Sequence, residues 1–204
     1  MRKLLEIYEK LLRSFGEQGW WPADTKLEVI VGAVLTQNTN WKNVEKAIKN
    51  LKKERLLSWK RLLEINGEEL ARIIRPAGFY RLKAKRLKEV LRYLSKVRRP
   101  KREDLLKVNG VGEETADSIL LYAYDIPTFV VDAYTRRIMG RVMGVKGDLK
   151  EFFESNLPKD LKLFKEFHAL LVELGKRFCK KEPSCEGCPL SDICKFYIER
   201  TTLK

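Results

Sequence analysis

Apolar residues recur at helical spacing through most of the chain. In the first segment Leu4, Leu5, Tyr8, Leu11 and Leu12 form the stripe of an amphipathic helix. No alternating apolar and polar run is long enough to indicate a strand. We therefore predict an all-α fold, with helices over about residues 2–15, 27–37, 41–53, 56–64, 67–75, 79–97, 102–108, 113–124, 132–143, 148–155, 160–178 and 189–198.

The chain is strongly basic. Its 204 residues include 42 Lys and Arg against 28 Asp and Glu, a formal net charge of +14, which favours nucleic acid or an anionic membrane as partner. No apolar run approaches the roughly 18 residues of a membrane span. The first helix mixes Glu into its apolar stripe and does not resemble a signal peptide. We expect a cytoplasmic protein, associated with the nucleoid if the source is prokaryotic.

The helical pattern breaks at Gly110-Val111-Gly112, between two apolar runs. Glycines permit unusual backbone conformations and leave no side chain between the main chain and a partner. Amides at the start of the following helix are suited to a phosphate. A lone carboxylate, Asp132, follows the next apolar run. Either this turn binds an anion and the carboxylate is functional, or the segment is an ordinary helical corner with a surface Asp.

Three other segments carry candidate chemistry. The Trp20-Trp21-Pro22 segment can line a binding site or pack between helices. Polar residues from Gln37 to Asn40 can enter a DNA stack, or can end one helix and cap the next. The sole histidine, His168, lies in an apolar helix, where a core or surface position is expected more often than a catalytic one.

All four cysteines lie in one short window, spaced C-x5-C-x2-C-x5-C, in a chain without a secretory signal. This arrangement favours a metal centre over disulfides. Zinc commonly uses two C-x-x-C pairs, and only one is present here. The candidate ligands are Cys179, Cys185, Cys188 and Cys194.

Together these motifs resemble the helix-hairpin-helix DNA glycosylases of the endonuclease III superfamily. The superfamily pattern L-x-x-x-x-G-V-G-x-x-T-A, followed by Val-Asp, matches residues 105–132. Its cysteine loop is C-x6-C-x2-C-x5-C, so the first gap is one residue shorter here. The segments WWP, GAVLTQNT and RPAGFYRLKAKRL look like the 3-methyladenine DNA glycosylase branch, and the likeness runs in register from about residue 20 to 135.

The resemblance implies two helical domains flanking a DNA-binding cleft. Residues 20–128 would form a helical-barrel domain with the helix-hairpin-helix motif at about 102–124. Residues 1–19 with 129–204 would form the second domain, carrying a [4Fe–4S] cluster in the loop 179–194. Zinc is the alternative metal. We expect a monomer.

The resemblance also implies roles for individual residues. Asp132 would be the catalytic carboxylate, which stabilises an oxocarbenium-like state and orients the attacking water. Glu114 occupies the position of the lysine nucleophile in lyase members, and a carboxylate cannot form a Schiff base. The base pocket would contain Trp20, Trp21, Pro22 and Trp41, with an aromatic pair sandwiching the base. DNA contacts would come from Gln37, Asn38, Gly110, Val111, Gly112 and Thr115.

We therefore expect a monofunctional glycosylase of base excision repair that acts on double-stranded DNA containing damaged bases. Alkylation gives a purine a positive charge, which aromatic rings select by stacking and cation–π attraction. The favoured substrate is flipped-out 3-methyladenine. The alternatives are an endonuclease III-like glycosylase for oxidised pyrimidines and a non-catalytic iron–sulfur DNA-binding module.

Overall fold

The computed structural model describes residues 2–202, and within that range the chain is helical and contains no β-strand. The predicted all-α fold is confirmed. None of the described helices is long and apolar enough to cross a membrane. The α-helices are α1 (Arg2–Phe15), α2 (Lys26–Leu35), α3 (Trp41–Lys53), α4 (Trp59–Glu64), α5 (Gly67–Ile73), α6 (Tyr80–Leu94), α7 (Arg102–Lys107), α8 (Glu113–Ser118), α9 (Ala133–Val142), α10 (Leu149–Asn156), α11 (Leu161–Arg177) and α12 (Lys195–Thr202).

Polar side chains begin many of these helices. The Thr25 hydroxyl accepts a hydrogen bond from the amide of Glu28 at 3.2 Å, and the Asn40 side chain accepts one from the amide of Asn43 at 3.1 Å. Each cap satisfies an amide that has no partner within its helix. The Asn40 contact establishes the capping function as one role of the polar segment between α2 and α3.

The last helix departs from the sequence prediction. Helix 189–198 was expected, but residues 189–193 form turns and α12 starts at Lys195. The prediction was wrong because Cys188 and Cys194 line the same cavity. The segment between them follows turns, which bring both thiols to that cavity. The helix predicted over 113–124 also changes form, since α8 ends at Ser118 and continues as a π-helical turn, Ile119–Ala123.

The chain divides into two compact units. One comprises the described residues up to Trp20 and from Pro127 onward, and the other is Trp21–Ile126. In the first, α11 packs against α1 and α9, and Phe167 of α11 contacts the stacked rings of Phe129 and Phe153, whose centroids are 3.8 Å apart. In the second, α2 is buried along most of its length and packs against α3, α6 and the π-helical turn.

A buried lysine ties α6 to the end of α2. Lys83 is 1% exposed, and its amine donates hydrogen bonds to the carbonyl of Leu35 at 2.8 Å and that of Ala77 at 2.7 Å. These bonds satisfy a carbonyl that the helix end leaves without an internal partner. Burial, assisted by the nearby Arg86 charge, lowers the pKa of Lys83 to about 8.

Candidate active site and DNA-binding surface

Asp132 lies at the start of α9 and is buried. Its Oδ1 caps the helix by accepting a hydrogen bond from the amide of Thr135 at 2.7 Å. Its Oδ2 lies 3.7 Å from Nε2 of His168 on α11. A carboxylate at a helix N-terminus is also favoured by the helix dipole. The two oxygens therefore face different partners in the first unit.

The surroundings of Asp132 favour its charged form. Burial alone would raise the pKa of Asp132, but His168 and Thr135 outweigh it and hold that pKa below its ordinary value. Asp132 is consequently a carboxylate at neutral pH. A buried negative charge of this kind is what an oxocarbenium-like state requires for stabilisation.

His168 was not identified as a site residue from the sequence. It is buried, in keeping with a core position, yet its side chain faces Asp132. Trp20 packs edge-on against its ring, with centroids 5.6 Å apart. Helical periodicity marks His168 as inward-facing, but only the packing of α11 against α9 shows which residue it meets.

The predicted base-pocket residues divide between the two units. Trp21 and Trp41 meet at a ring-centroid distance of 5.5 Å and an angle of 82°, and Trp21 also contacts Tyr122 at 5.2 Å. Gly32 on α2 makes room for the pair, since a Cβ there would lie 3.1 Å from Nε1 of Trp21. We call Trp21, Trp41 and Tyr122 the aromatic cluster. Its perpendicular tryptophans differ from the sandwich that the resemblance implies.

The remaining two predicted pocket residues have other surroundings. Trp20 belongs to the first unit, where it packs against His168 and lies under the amine of Lys176 at 5.4 Å. Pro22 is exposed. Tyr122 was missed in the sequence because it lies in the π-helical turn, which a regular helical period does not reveal.

The hairpin between α7 and α8 uses its two glycines differently. Gly110 has φ +81°, and a Cβ there would overlap the side chain of Arg86, so conformation and packing both demand glycine. Gly112 has an ordinary extended backbone with open space around it. Only Gly110 thus needs the special conformational freedom, while Gly112 leaves the main chain accessible.

Gln37 braces this hairpin from within the second unit. Its Nε2 donates to the carbonyl of Gly110 at 2.9 Å and to Oγ1 of Thr115 at 3.0 Å, while its Oε1 accepts from Nη1 of Arg86 at 2.8 Å. Thr115 and the neighbouring Val111 are buried. Asn38, by contrast, is exposed with φ +51°. Among the predicted DNA contacts, Asn38 and Gly112 are therefore directly accessible.

The four predicted metal ligands line one cavity in the first unit. None of them forms a disulfide. The loop is held to α9 by Arg137, which donates to the carbonyl of Cys179 at 2.8 Å, and by Arg141. The Arg141 guanidinium donates to the carbonyls of Lys180 at 2.6 Å and Lys181 at 2.8 Å, and lies 3.4 Å from the Cys179 sulfur.

Four cysteine thiols around one cavity form a donor set suited to a metal centre. Burial, together with the charges of the three other cysteines, raises the pKa of the Cys188 thiol to about 11. A bound metal centre offsets the repulsion between these charges, because its positive charge favours the thiolate form of the cysteines that bind it. Around a single zinc ion the sulfurs converge at about 2.3 Å from the metal. Among the described residues, no three His, Cys, Asp or Glu side chains converge as ligands of one ion.

Residues 31–162 match the model of a protein family described as "HhH-GPD superfamily base excision DNA repair protein". The chain belongs to the HhH-GPD superfamily. It is a DNA glycosylase of base excision repair, with the helix-hairpin-helix at the Gly110 turn. A protein of Methanocaldococcus jannaschii named as a candidate DNA repair glycosylase is 51% identical, over 94% of this chain and 95% of its own length.

Other HhH-GPD proteins resembling this chain carry different names. Endonuclease III of Thermotoga maritima is 36% identical over 84% of each chain, and a thymine/uracil-DNA glycosylase of Pyrobaculum aerophilum is 33% identical over 97% of this chain and 93% of its own. A non-covalent endonuclease III–DNA complex has the same fold, with a TM-score of 0.84, 23% identity and 98% coverage of both chains. The H. pylori 3-methyladenine DNA glycosylase bound to 1,N6-ethenoadenine has a TM-score of 0.73 and 29% identity, over 85% of this chain and 97% of that one.

Two further features of this HhH-GPD protein bear on its chemistry. Glu114, predicted to occupy the lyase-lysine position, is exposed in the first turn of α8. Phe79 is 67% exposed, although its backbone has φ +43°, a conformation unfavourable to a bulky side chain. Sequence reasoning missed Phe79, because neither the sign of φ nor the exposure of an aromatic residue at a helix start can be read from periodicity.

Proposed function

We propose that this protein is a monofunctional DNA glycosylase that hydrolyses the N-glycosidic bond of alkylated purines, with 3-methyladenine favoured. The observation that carries the proposal is the buried Asp132 carboxylate, held in its charged form at the start of α9. As the bond to the base breaks, positive charge develops on the sugar, and a fixed carboxylate stabilises it. Asp132 also orients or deprotonates the water that attacks the sugar carbon.

The aromatic cluster supports the substrate. An alkylated purine leaves as a neutral base after carrying a positive charge, so it needs little acid assistance but must be selected. Tryptophan faces select it by stacking and cation–π attraction, worth roughly 0.5–2 kcal/mol per contact. Because the perpendicular rings of Trp21 and Trp41 leave no gap for a base between them, we expect the base to stack on the outer face of one ring. The likeness to the H. pylori 3-methyladenine glycosylase agrees with this choice.

DNA binding is assigned to accessible groups of the second unit. The main chain at Gly112 is open to a phosphate, and the exposed side chains of Asn38 and Phe79 are free to contact bases. Gln37 and Thr115 would act indirectly, because they hold the hairpin in place. Arg81, Lys85, Lys88 and Arg92 lie together along α6 and add to the electrostatic attraction of the phosphates.

Glu114 supports hydrolysis without strand cleavage. A lyase requires an amine that forms a Schiff base with the sugar, and a carboxylate cannot do this. The product would be an abasic site in an intact strand. Sodium borohydride is expected to trap no covalent complex between the protein and damaged DNA. A covalent complex trapped while the wild-type protein releases base would refute the monofunctional assignment.

We assign a [4Fe–4S] cluster to Cys179, Cys185, Cys188 and Cys194, with zinc as the alternative. The group would supply a structural crosslink for the loop, and no step of the reaction is routed through it. Elemental analysis distinguishes the two, because a cluster contributes four iron atoms and acid-labile sulfide, whereas a four-thiolate site of the zinc type contributes a single metal ion.

Pyrimidine lesions are the second candidate substrate. They are favoured by the likeness to endonuclease III and to a thymine/uracil-DNA glycosylase, both above 30% identity over most of the chain. The deciding experiment measures base release from duplexes that carry 3-methyladenine, 7-methylguanine, an oxidised pyrimidine, or uracil or thymine mispaired with guanine. Greater release of a pyrimidine than of either methylated purine would overturn the alkylpurine assignment.

Asp132→Asn is the matched control for every duplex. Asparagine also caps helices well, so the variant keeps α9 while losing the charge. We expect it to bind damaged DNA and release no base. Wild-type protein that binds each duplex but releases nothing would instead support a non-catalytic iron–sulfur DNA-binding module.

A further inference from the structure

We propose that His168 is a positioning residue that orients the Asp132 carboxylate, an inference that rests on the proposed glycosylase reaction. His168 contributes no group to the substrate in this scheme. Its effect reaches the sugar only through Asp132.

Two contacts restrict the orientation of the Asp132 carboxylate. The amide of Thr135 fixes Oδ1 of Asp132 at 2.7 Å, which determines one oxygen but leaves rotation of the carboxylate about it. Nε2 of His168 faces Oδ2 at 3.7 Å, and this second contact restricts that rotation. The separation exceeds that of a direct hydrogen bond. Catalytic pairs in ligand-free enzymes are often somewhat long and shorten when substrate is bound.

The imidazole of His168 is itself held in place by its neighbours. His168 is 3% exposed in the middle of α11, and Trp20 packs edge-on against its ring. Two turns further along α11, Gly175 lies against the ring of Tyr134 on α9. Tight contact at Gly175 holds α11 close to α9, so the direction of the imidazole towards Asp132 is set by helix packing.

His168 also acts electrostatically on Asp132. Asp132 is buried and would become protonated more easily if nothing compensated its charge. α11 provides His168 and α9 provides Thr135 as the groups that hold the pKa of Asp132 low. Trp20 brings no charge, and the amine of Lys176 lies over the Trp20 ring, 5.4 Å from its centroid. Replacing His168 by an apolar side chain leaves burial opposed by Thr135 alone, so the pKa of Asp132 must rise.

Two substitutions separate orientation from simple packing. His168→Leu fills the space without a polar atom, and His168→Gln places an amide nitrogen near the position of Nε2. Val172→Ala is the control, because it removes buried volume from the same helix at a residue outside the site. All three are compared with wild type by single-turnover and steady-state base release from the best substrate, over a range of pH, with unfolding measured alongside.

We expect His168→Leu to lower kcat about tenfold or more, with KM little changed, and to move the acidic limb of the rate profile to higher pH. His168→Gln should recover a large part of the lost rate. Val172→Ala should lower stability while leaving kcat and the acidic limb unchanged. A His168→Leu enzyme with wild-type kcat and acidic limb would overturn the inference, as would equal rate losses in all three variants.

Failure of the His168 inference can be distinguished from failure of the glycosylase proposal. If wild type releases base and Asp132→Asn does not, the glycosylase assignment stands whatever the His168 variants do. If wild type releases no base from any duplex, the glycosylase proposal fails. The pKa of Asp132, followed by carboxyl-group NMR titration, then still tests whether His168→Leu raises it and His168→Gln does not.

Discussion

Gly175 of α11 lies directly against the ring of Tyr134 of α9, so closely that a Cβ at position 175 would overlap the ring carbons. Gly175→Ala therefore forces α9 and α11 apart, and overpacking of this kind costs about 1–3 kcal/mol. We expect a lower melting temperature and a lower rate of base release, because the separation also displaces Asp132 from His168. Thermal unfolding and single-turnover kinetics measure the two effects.

Gly140 in α9 provides the matched control. A Cβ there meets open space, and glycine inside a helix is destabilising by roughly 0.5–1 kcal/mol relative to alanine. Gly140→Ala should therefore stabilise the protein by about that amount and leave the rate unchanged. Similar losses in both variants would show that helix separation at Gly175 is not the cause.

The two hairpin glycines should respond differently to alanine. Gly110→Ala combines an unfavourable φ of +81° with overlap of Arg86, so we expect loss of both stability and affinity for damaged DNA. Gly112→Ala meets neither obstacle in the protein and should retain the melting temperature. Its added methyl group lies where the main chain would approach a phosphate, so its DNA affinity should nevertheless fall. Unchanged affinity in Gly112→Ala would contradict phosphate binding there.

Phe79→Asn should separate stability from function. Asparagine tolerates a left-handed backbone better than phenylalanine, and the exposed ring gives up little buried area. The melting temperature should therefore hold or rise, whereas base release and affinity for lesion-containing duplex should fall. Ile198→Asn, an exposed apolar residue of the other unit, is the control and should leave both unchanged. Normal activity in Phe79→Asn would exclude a role in DNA contact.

Arg141→Gln should loosen the cysteine loop. The variant removes the bonds to the carbonyls of Lys180 and Lys181, so we expect faster loss of bound metal to a chelator. Arg200→Gln is the control. Arg200 is exposed on α12 and lies over the Phe196 ring at 5.4 Å, as Arg141 does at 5.3 Å. Equal rates of metal loss in Arg141→Gln and Arg200→Gln would contradict the role of Arg141 in holding the loop.

Lys83 should make stability depend on pH in the alkaline range. Its folded pKa of about 8 lies below the unfolded value of 10.5, so the unfolded state binds more protons between these values. The free energy of unfolding should therefore rise as pH increases from 8 towards 10.5, by on the order of 3 kcal/mol at most. The neutral amine keeps two N–H groups for its two carbonyl partners.

Lys83→Met should remove this rise, as measured by chemical denaturation at several pH values. The difference between wild type and variant is the relevant quantity, because burial raises the pKa of Tyr8, Tyr93 and Tyr124, and these phenols act on stability above pH 10 in both proteins. A constant difference between pH 8 and 10 would contradict the depressed pKa.

Local sequence signals predict most helices, because the apolar stripe and the capping residue that define a helix lie within or next to it. The bounds of α1 and α3 agree with the predicted 2–15 and 41–53, since an apolar stripe defines both and Asn40 starts the second. The prediction failed at α12, where the cavity lined by Cys194 and the other cysteines decides the backbone path. The convergence of four cysteines on one cavity depends on the turns between them, and it leaves no helical period in the sequence.

The sequence likewise indicated individual residues of the candidate site but not the contacts between helices. Motif spacing indicated Asp132, Gly110 and Glu114 as chemically important. The link between Asp132 and His168 was hidden, because it depends on how α9 packs against α11 rather than on either helix alone. For the same reason, Gln37 was expected at a DNA surface, whereas its amide is engaged by the hairpin and by Arg86.

Asp132 caps α9 and, in the proposed reaction, also supplies the negative charge. The two duties differ in their chemical demands, since capping requires an oxygen acceptor and catalysis requires an anion. An asparagine at this position would therefore leave an intact scaffold that holds a damaged nucleotide without releasing it. Such an inactivated protein would serve as a probe for lesions in genomic DNA, because capture and turnover would be uncoupled by the exchange of one oxygen for a nitrogen.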